Sequence, residues 1–262
     1  MIGLSAIISV RNLSKIFKGT DGQQVHALAD INLDIAPGEF VSFIGPSGCG
    51  KSTLLRVIAD LTDATSGTVT VNGKTPAQAR KDRDYGFVFQ SATLYDWRTV
   101  LKNVQLPLEI MRYPREKREQ RAREMLQLVE LGDFASKYPW QLSGGMQQRV
   151  SIARALAFEP QILLMDEPFG ALDEMTRERM NNELLNIWRA MKNMTVLFVT
   201  HSISEAVYLS TRIVVMSPRP GRVSEIIDVD LPHPRGPETR ELDDFFRLTG
   251  QVRHALREGV HG

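Results

Sequence analysis

Within "GPSGCGKST", Gly45, Gly50, Lys51 and Ser52 fall on the pattern G-x-x-x-x-G-K-S, between the apolar run "EFVSFI" and the helix-like "KSTLLRVIAD". Glycines carry no Cβ, so successive backbone N–H groups can turn inward onto an anion. The helix that follows adds the partial positive charge of its N-terminus. Such a loop cradles phosphate. It comprises Gly45, Pro46, Ser47, Gly48, Cys49, Gly50, Lys51, Ser52 and Thr53. Lys51 is placed to reach the β- and γ-phosphates of a nucleotide, and Ser52 to ligate Mg²⁺.

A second group of reactive residues closes the apolar strand-like run "QILLMDEP". Asp166 would hold the metal or its water, and Glu167 would polarise the water that attacks the γ-phosphorus. His201 ends another apolar run, "TVLFVT". These polar groups therefore gather at strand C-termini, the edge where α/β sheets bind ligands. A third feature is "QLSGGMQQRVSIARAL", in which Ser143, Gly144 and Gly145 open a helix whose first amides are free to bind an anion. This second phosphate site occurs in a chain with only one cradle. A single nucleotide does not need both, unless the second site serves a neighbouring copy.

The elements that must position these residues follow from periodicity. "AIISVRNLSKIF" and "ALADINLDI" alternate apolar and polar residues, as half-buried strands do, and Asp21-Gly22 between them signals a turn. The strand reading extends back over the apolar residues 1–10, which lack the charged n-region of a signal peptide. "GTVTVNGK", "YGFVFQ", "QILLMDEP", "TVLFVTH" and "RIVVMS" read as further strands, with a long helix near 174–192. From Thr99 to Ala157 the pattern is helical. In that stretch Ala122, Met125, Leu128 and Val129 share one face, and Glu119 pairs with Arg123 at i,i+4. Strands alternating with helices imply a parallel α/β sheet, split in sequence by the helical insert. After "SPRPGRV" comes the strand-like "SEIIDVDL" and the Pro-rich "PHPRGP". Leu242, Phe245, Phe246, Thr249 and Val252 then mark an amphipathic tail helix.

Composition excludes several classes. Lys+Arg 32 against Asp+Glu 31 leaves a formal charge of +1, so no global field advertises nucleic acid or an acidic membrane. The basic stretch "RYPREKREQRAR" is interleaved with glutamates and reads as a solvated helix face. One cysteine, Cys49, cannot form an internal disulfide. Its place between the helix N-terminus and Lys51 favours a thiolate, expected to be open to solvent when the cradle is empty. No run approaches the roughly 20 apolar residues of a membrane span.

Taken together, the cradle, "MDEP" and "LSGGMQQR" resemble the ATP-binding cassette family over residues 7–225. The resemblance implies an α/β fold: a P-loop NTPase (RecA-like) parallel-sheet core with an N-terminal antiparallel β element and an inserted helical subdomain. The core would span 1–90 and 160–230, the subdomain with its signature 91–159, and the tail 231–262. It further implies two copies dimerising head to tail, with each ATP and its Mg²⁺ between the cradle of one and the signature of the other. Gln90 then matches the loop glutamine that senses metal, water and the membrane partner, making it both a catalytic and a metal-site residue beside Lys51, Glu167 and His201. Asp173, in "ALD", matches the loop that crosses the dimer interface. His201 matches the switch histidine at the γ-phosphate, and Phe17 the aromatic that stacks on adenine. Met146 replaces the more frequent signature glutamine, with Gln147 following it.

The resemblance also implies a role for Tyr95 and Trp97, in "SATLYDWRTV": they border the groove that accepts a permease coupling helix. "MDEPFGALD", "SPRPGRV" and "HPR" resemble the nitrate, sulfonate, taurine and pyrimidine-precursor importer branch. The expected partners are a second cassette, an integral-membrane permease and, indirectly, a solute-binding protein, with no nucleic acid. The expected place is the cytoplasmic face of the membrane. The rival readings are a non-transport ATPase of this family and a nucleotide-dependent switch acting on a soluble partner.

Overall fold

The computed structural model describes residues 6–19, 22–170, 172–191 and 193–261. The expected strand residues 1–5, Asp21 of the expected turn and Ala171 lie outside the described residues. The chain opens with β1 (Ile8–Lys18) and β2 (Gln24–Ile35), an antiparallel pair. Then come β3 (Phe40–Ile44), the cradle and α1 (Lys51–Ile58). β4 (Ser66–Val71) returns antiparallel to β1 and completes a three-stranded sheet of order β2-β1-β4.

α2 (Pro76–Asp82) precedes β5 (Tyr85–Val88). It has no counterpart among the expected elements, although Thr75 before Pro76 is a helix-start signal. Thr75 Oγ1 duly accepts from Gln78 N at 3.3 Å. Three helices follow: α3 (Val100–Ile110), α4 (Arg115–Leu128) and α5 (Gly144–Leu156). The rest runs β6 (Ile162–Asp166), α6 (Glu174–Ala190), β7 (Thr195–Val199), α7 (Ile203–Leu209), β8 (Arg212–Met216), β9 (Val223–Asp228) and α8 (Asp243–His261).

The second sheet has six strands in the order β5-β6-β7-β3-β8-β9. Its pairings are parallel except β8 with β9, which runs antiparallel at the edge. Every residue of β3, β6 and β7 is buried, which explains their unbroken apolar sequences. Alternation divides each strand between two layers. Ile162 and Leu164 of β6 join a cluster with α1 and the antiparallel sheet, while Leu163 and Met165 join one with the helices of the insert and the tail. Each such side chain contributes about 1.5–3 kcal/mol on burial.

Two expected faces shift. On α4 the inward residues are Ala122, Met125 and Leu126, while Leu128 is only half-buried. On α8 the buried stripe is Phe245, Leu248, Val252 and Ala255; Phe246 is 63% and Leu242 41% exposed. The helix starts after Leu242, so its first inward position is Phe245. The basic stretch is tied to carboxylates of the same chain, through Arg123–Glu119 at 2.7 Å and Arg121–Glu159 at 2.9 Å.

Behind the cradle, the chain between β8 and β9 packs directly on it. Gly221 N donates to Ala27 O at 3.0 Å, and Gly221 O accepts from Ala29 N at 3.0 Å. A Cβ built on Gly221 would stand 1.8 Å from Cys49 O. That oxygen is backbone and cannot swing aside as a side chain could. Gly221→Ala should therefore displace the cradle, lowering stability by about 1–3 kcal/mol and weakening ATP binding. Thermal unfolding and nucleotide titration check this; unaltered values in both would contradict the packing.

Candidate functional site

β3 is central in its sheet and delivers the cradle to the middle of the strand C-terminal edge. Gly50 adopts φ 101°, a left-handed conformation, as the N-cap of α1. A side chain there would be strained and would meet Leu28 Cδ2 at 2.6 Å and Ala27 O at 2.8 Å. The first intrahelical donor is Leu54 N, to Gly50 O at 2.8 Å. The amides before it, from Lys51 to Thr53, therefore lack intrahelical acceptors and are available to an anion. Lys51 is buried, and its Nζ donates to Gly45 O at 2.8 Å and Pro46 O at 3.1 Å. The ammonium is thus held across the loop that it serves.

Ser52 and Asp166, the expected metal residues, also meet. Ser52 Oγ donates to Asp166 Oδ1 at 2.5 Å, joining the start of α1 to the end of β6. Arg56 Nη2 approaches the other oxygen, Asp166 Oδ2, at 3.7 Å. A hydroxyl and a carboxylate are hard oxygen donors that suit Mg²⁺. Two donors leave the rest of an octahedron to phosphate and water, so the pair fits a cation that arrives with a nucleotide.

Glu167 follows Asp166 with φ 47°, in the left-handed region, where a non-glycine residue costs about 1–3 kcal/mol. Its N–H donates to Val199 O at 3.1 Å, across the gap to β7. The two neighbouring carboxylates have separate partners, Ser52 and Arg56 for Asp166, His201 and Gln90 for Glu167. Glu167 Oε1 lies 2.6 Å from His201 Nε2, and Gln90 Nε2 donates to Glu167 Oε2 at 3.4 Å. The three groups wall a cavity of 170 Å³ that also touches Gly170, Thr200 and Glu205. Strands β5, β6 and β7 are thus each followed, within two residues, by one of these polar groups. A larger cleft of 920 Å³, between Ile7 and Met191, lies away from these strand ends.

Ser143 and Gly144 lie elsewhere, exposed at the start of α5. Ser143 Oγ accepts from Met146 N at 3.3 Å as an N-cap. Gly145 is packed close to Thr176 and Leu172. That contact brings the signature beside Asp173, which caps α6 by accepting from Thr176 N at 3.0 Å. The Thr176 amide holds the exposed Asp173 carboxyl below its ordinary range. Among the described residues, no hydrogen bond joins Ser143, Gly144 or Asp173 to the cradle. Gln147 is turned inward: its amide donates to Pro139 O at 3.0 Å and Leu142 O at 3.3 Å, bracing the turn before the signature.

Phe17 is 42% exposed at the end of β1, with Lys15 Nζ 4.8 Å from its ring centroid. Tyr95 and Trp97 are both exposed, their ring centroids 4.8 Å apart. The buried Asn103 presents them: Oδ1 accepts from Tyr95 N at 2.8 Å, while Nδ2 donates to the carbonyls of Tyr95, Arg98 and Thr99.

Several supporting residues escape sequence reasoning. Gln148 Nε2 donates to Phe89 O at 3.0 Å, and Arg154 Nη1 and Nη2 donate to Thr93 O and Ala92 O, so α5 grips the chain around Gln90. Arg219 reaches Gly48 O of the cradle at 3.4 Å. Each bond runs from a side chain to a distant backbone carbonyl, and such bonds leave no spacing pattern.

Comparisons with known proteins bear on the family and the fold. The profile of the family described as ABC transporter matches residues 28–170. An uncharacterised ABC transporter ATP-binding protein of Methanocaldococcus jannaschii is 53% identical over 97% of this chain and 92% of its own. The taurine import ATP-binding protein of Rhizobium johnstonii is 48% identical over 86% of this chain and 84% of its own. Among solved structures, a dimeric ATP-binding cassette in a post-hydrolysis state bound to ADP and Pi is 40% identical. It covers 87% of this chain and 99% of its own, with a TM-score of 0.75.

One expectation is corrected by the cradle itself. The Cys49 side chain is wholly buried among apolar residues, its Sγ 3.6 Å from Lys51 Nζ, so it is not open to solvent. It contributes backbone, not thiol, to the loop. The native protein should therefore resist N-ethylmaleimide with or without Mg-ATP and react fully once unfolded. Rapid native labelling, followed by mass spectrometry, would restore the exposed-thiol reading.

Proposed function

The chain belongs to the ABC transporter family, and from that premise we propose that it is the ATP-hydrolysing subunit of an importer, working as a head-to-tail pair of cassettes. The observation that carries this reading is the Glu167–His201 contact at 2.6 Å beyond the Ser52–Asp166 pair. A binding-only switch needs the cradle; it does not need a carboxylate held in a strained turn by a histidine.

The cradle amides and Lys51 bind the β- and γ-phosphates, and Phe17 offers an exposed face to adenine. Ser52 and Asp166 would hold Mg²⁺, which would neutralise phosphate charge there, with Gln90 as a further expected metal-site residue. Glu167 accepts a proton from the attacking water. His201 fixes the rotamer of Glu167 from one side, and Gln90 from the other. Ser143, Gly144 and Asp173 are exposed and, among the described residues, share no hydrogen bond with their own chain's cradle, which supports their serving the nucleotide of a second copy.

Import of a small solute is supported by the taurine-import relative, and the solute is of the sulfonate, nitrate or pyrimidine-precursor type. No helix among the described residues is long and apolar enough to cross a membrane. A permease as partner is supported by the import ATP-binding relatives. Its docking is supported by Tyr95 and Trp97, the latter 75% exposed on a loop that Asn103 fixes. The permease places this subunit at the cytoplasmic membrane face, and a solute-binding protein supplies the ligand on the other side.

Glu167→Gln should bind ATP normally and lose about 10²–10⁴-fold in turnover, as loss of a general base does. Steady-state phosphate release with parallel nucleotide titration measures both. Near wild-type turnover would remove Glu167 from the role of base.

A further inference from the structure

α7 is the helix that leaves the His201 turn, and it has only seven residues. So short a helix has little stability of its own, and its terminal carbonyls need partners from elsewhere. The C-terminal segment supplies them. Arg235 is buried, and its Nη1 donates to Tyr208 O at 2.9 Å and Ser210 O at 2.8 Å, with Val207 O at 3.4 Å. Its Nη2 donates to Leu231 O at 3.3 Å, which ties the guanidinium to its own segment. A cation thereby sits at the negative end of the helix dipole. Burial lowers this guanidinium to about 10, so it stays charged at neutral pH.

Arg240 holds the same helix nearer its start. Its Nη1 donates to Ser204 Oγ at 2.9 Å and stands 3.5 Å from Glu178 of α6, and its guanidinium lies 4.1 Å from the Tyr208 ring centroid. Between these anchors the buried Glu205 accepts from Thr200 Oγ1, and Thr200 Oγ1 accepts from Ser202 N at 2.9 Å. Thr200 and Ser202 flank His201. A chain of direct contacts therefore runs from the tail through α7 to the backbone on both sides of the switch histidine.

The tail has a second attachment besides these arginines: Phe245, Leu248, Val252 and Ala255 of α8 bury in the main hydrophobic cluster. The two guanidinium groups add polar contacts to α7 that an apolar stripe cannot supply.

We propose that Arg235 and Arg240 are positioning residues that strap α7 and thereby hold His201 against Glu167. The proposal rests on the reading that His201 takes part in hydrolysis. It predicts that the tail governs turnover and leaves nucleotide affinity alone.

The test uses the full chain with Arg235→Ala, Arg235→Lys and Arg240→Ala, each alone and combined with His201→Ala. Steady-state ATPase assays, Mg-ATP titration and hydrogen–deuterium exchange of the α7 amides are read together. Arg235→Ala and Arg240→Ala should each lower kcat about tenfold, within the range that misplacement of a reacting group produces. KM and ATP affinity should stay within about twofold, α7 amides should exchange faster, and Arg235→Lys should recover most of the turnover, since an ammonium also caps carbonyls. In the His201→Ala background neither arginine substitution should lower kcat further, because the contact that they support is already gone.

If Arg235→Ala does not fold, Arg240→Ala carries the same test from a less buried site. Wild-type kcat in the arginine variants while His201→Ala is impaired would overturn the strap alone. Additive losses in the double variants would overturn it as well, by showing a general structural role. Absence of wild-type turnover would overturn the ATPase reading instead, and exchange at α7 would still judge the strap: unchanged protection would overturn it, faster exchange support it.

Discussion

The register of β6 against β7 is the constraint on which the site depends. Asp166 lies opposite Val199, and Val199 O receives the N–H of Glu167 at 3.1 Å. From that pairing, one further residue on β6 and two on β7 bring Glu167 and His201 together. A slip by one residue would reverse every side chain of β6 and carry Asp166 away from Ser52. Both strands are buried on both faces, so the slip would also misplace two layers of core. The energy of the core is what keeps the chemistry in line.

The same edge accounts for how binding and hydrolysis are divided. β3 carries the cradle, β6 Asp166 with Glu167 next to it, the proposed metal carboxylate and base, and the chain just beyond β7 and β5 carries His201 and Gln90. The sheet holds these ends, while the left-handed turn at Glu167 stores a small amount of strain at the proposed base. The helical insert is not an independent layer. Its buried residues belong to the same cluster as Phe198 and Met165 of the sheet, and Gln148 and Arg154 fasten α5 to the chain around Gln90. A displacement of α5 would thus reach Gln90 through two side chains.

Much of this was legible because the informative features are local. The glycine-lysine loop, the carboxylates closing "QILLMDEP" and the serine-glycine helix start are each short patterns with a mechanism. The buried parallel strands announced themselves as apolar runs. What the sequence did not disclose depends on contacts between distant segments. The sequence neighbours of Cys49 suggest exposure, yet Gly221 packs on its carbonyl and its side chain joins an apolar cluster drawn from distant segments, Leu28 among them. The α8 stripe was misplaced because Leu242 has the right spacing but lies before the helix begins. Arg235 could not be recognised as a cap, since its acceptors lie 25 to 28 residues earlier in the chain. α2 is the exception: Thr75-Pro76 carried a readable signal.

A second chain is proposed to complete the site, because among the described residues the cradle and the Ser143–Gly144 helix start share no hydrogen bond within one. Mixing two inactive variants tests it most directly. Lys51→Ala destroys the cradle and spares the signature; Ser143→Arg does the reverse. A mixed pair then holds one complete site, formed from the Ser143→Arg cradle and the Lys51→Ala signature. Equal mixing should restore about a quarter of the wild-type ATPase rate, since half the pairs are mixed and each has one working site of two. A mixture no more active than its separate components would contradict the account, and would mean that each chain uses its own signature.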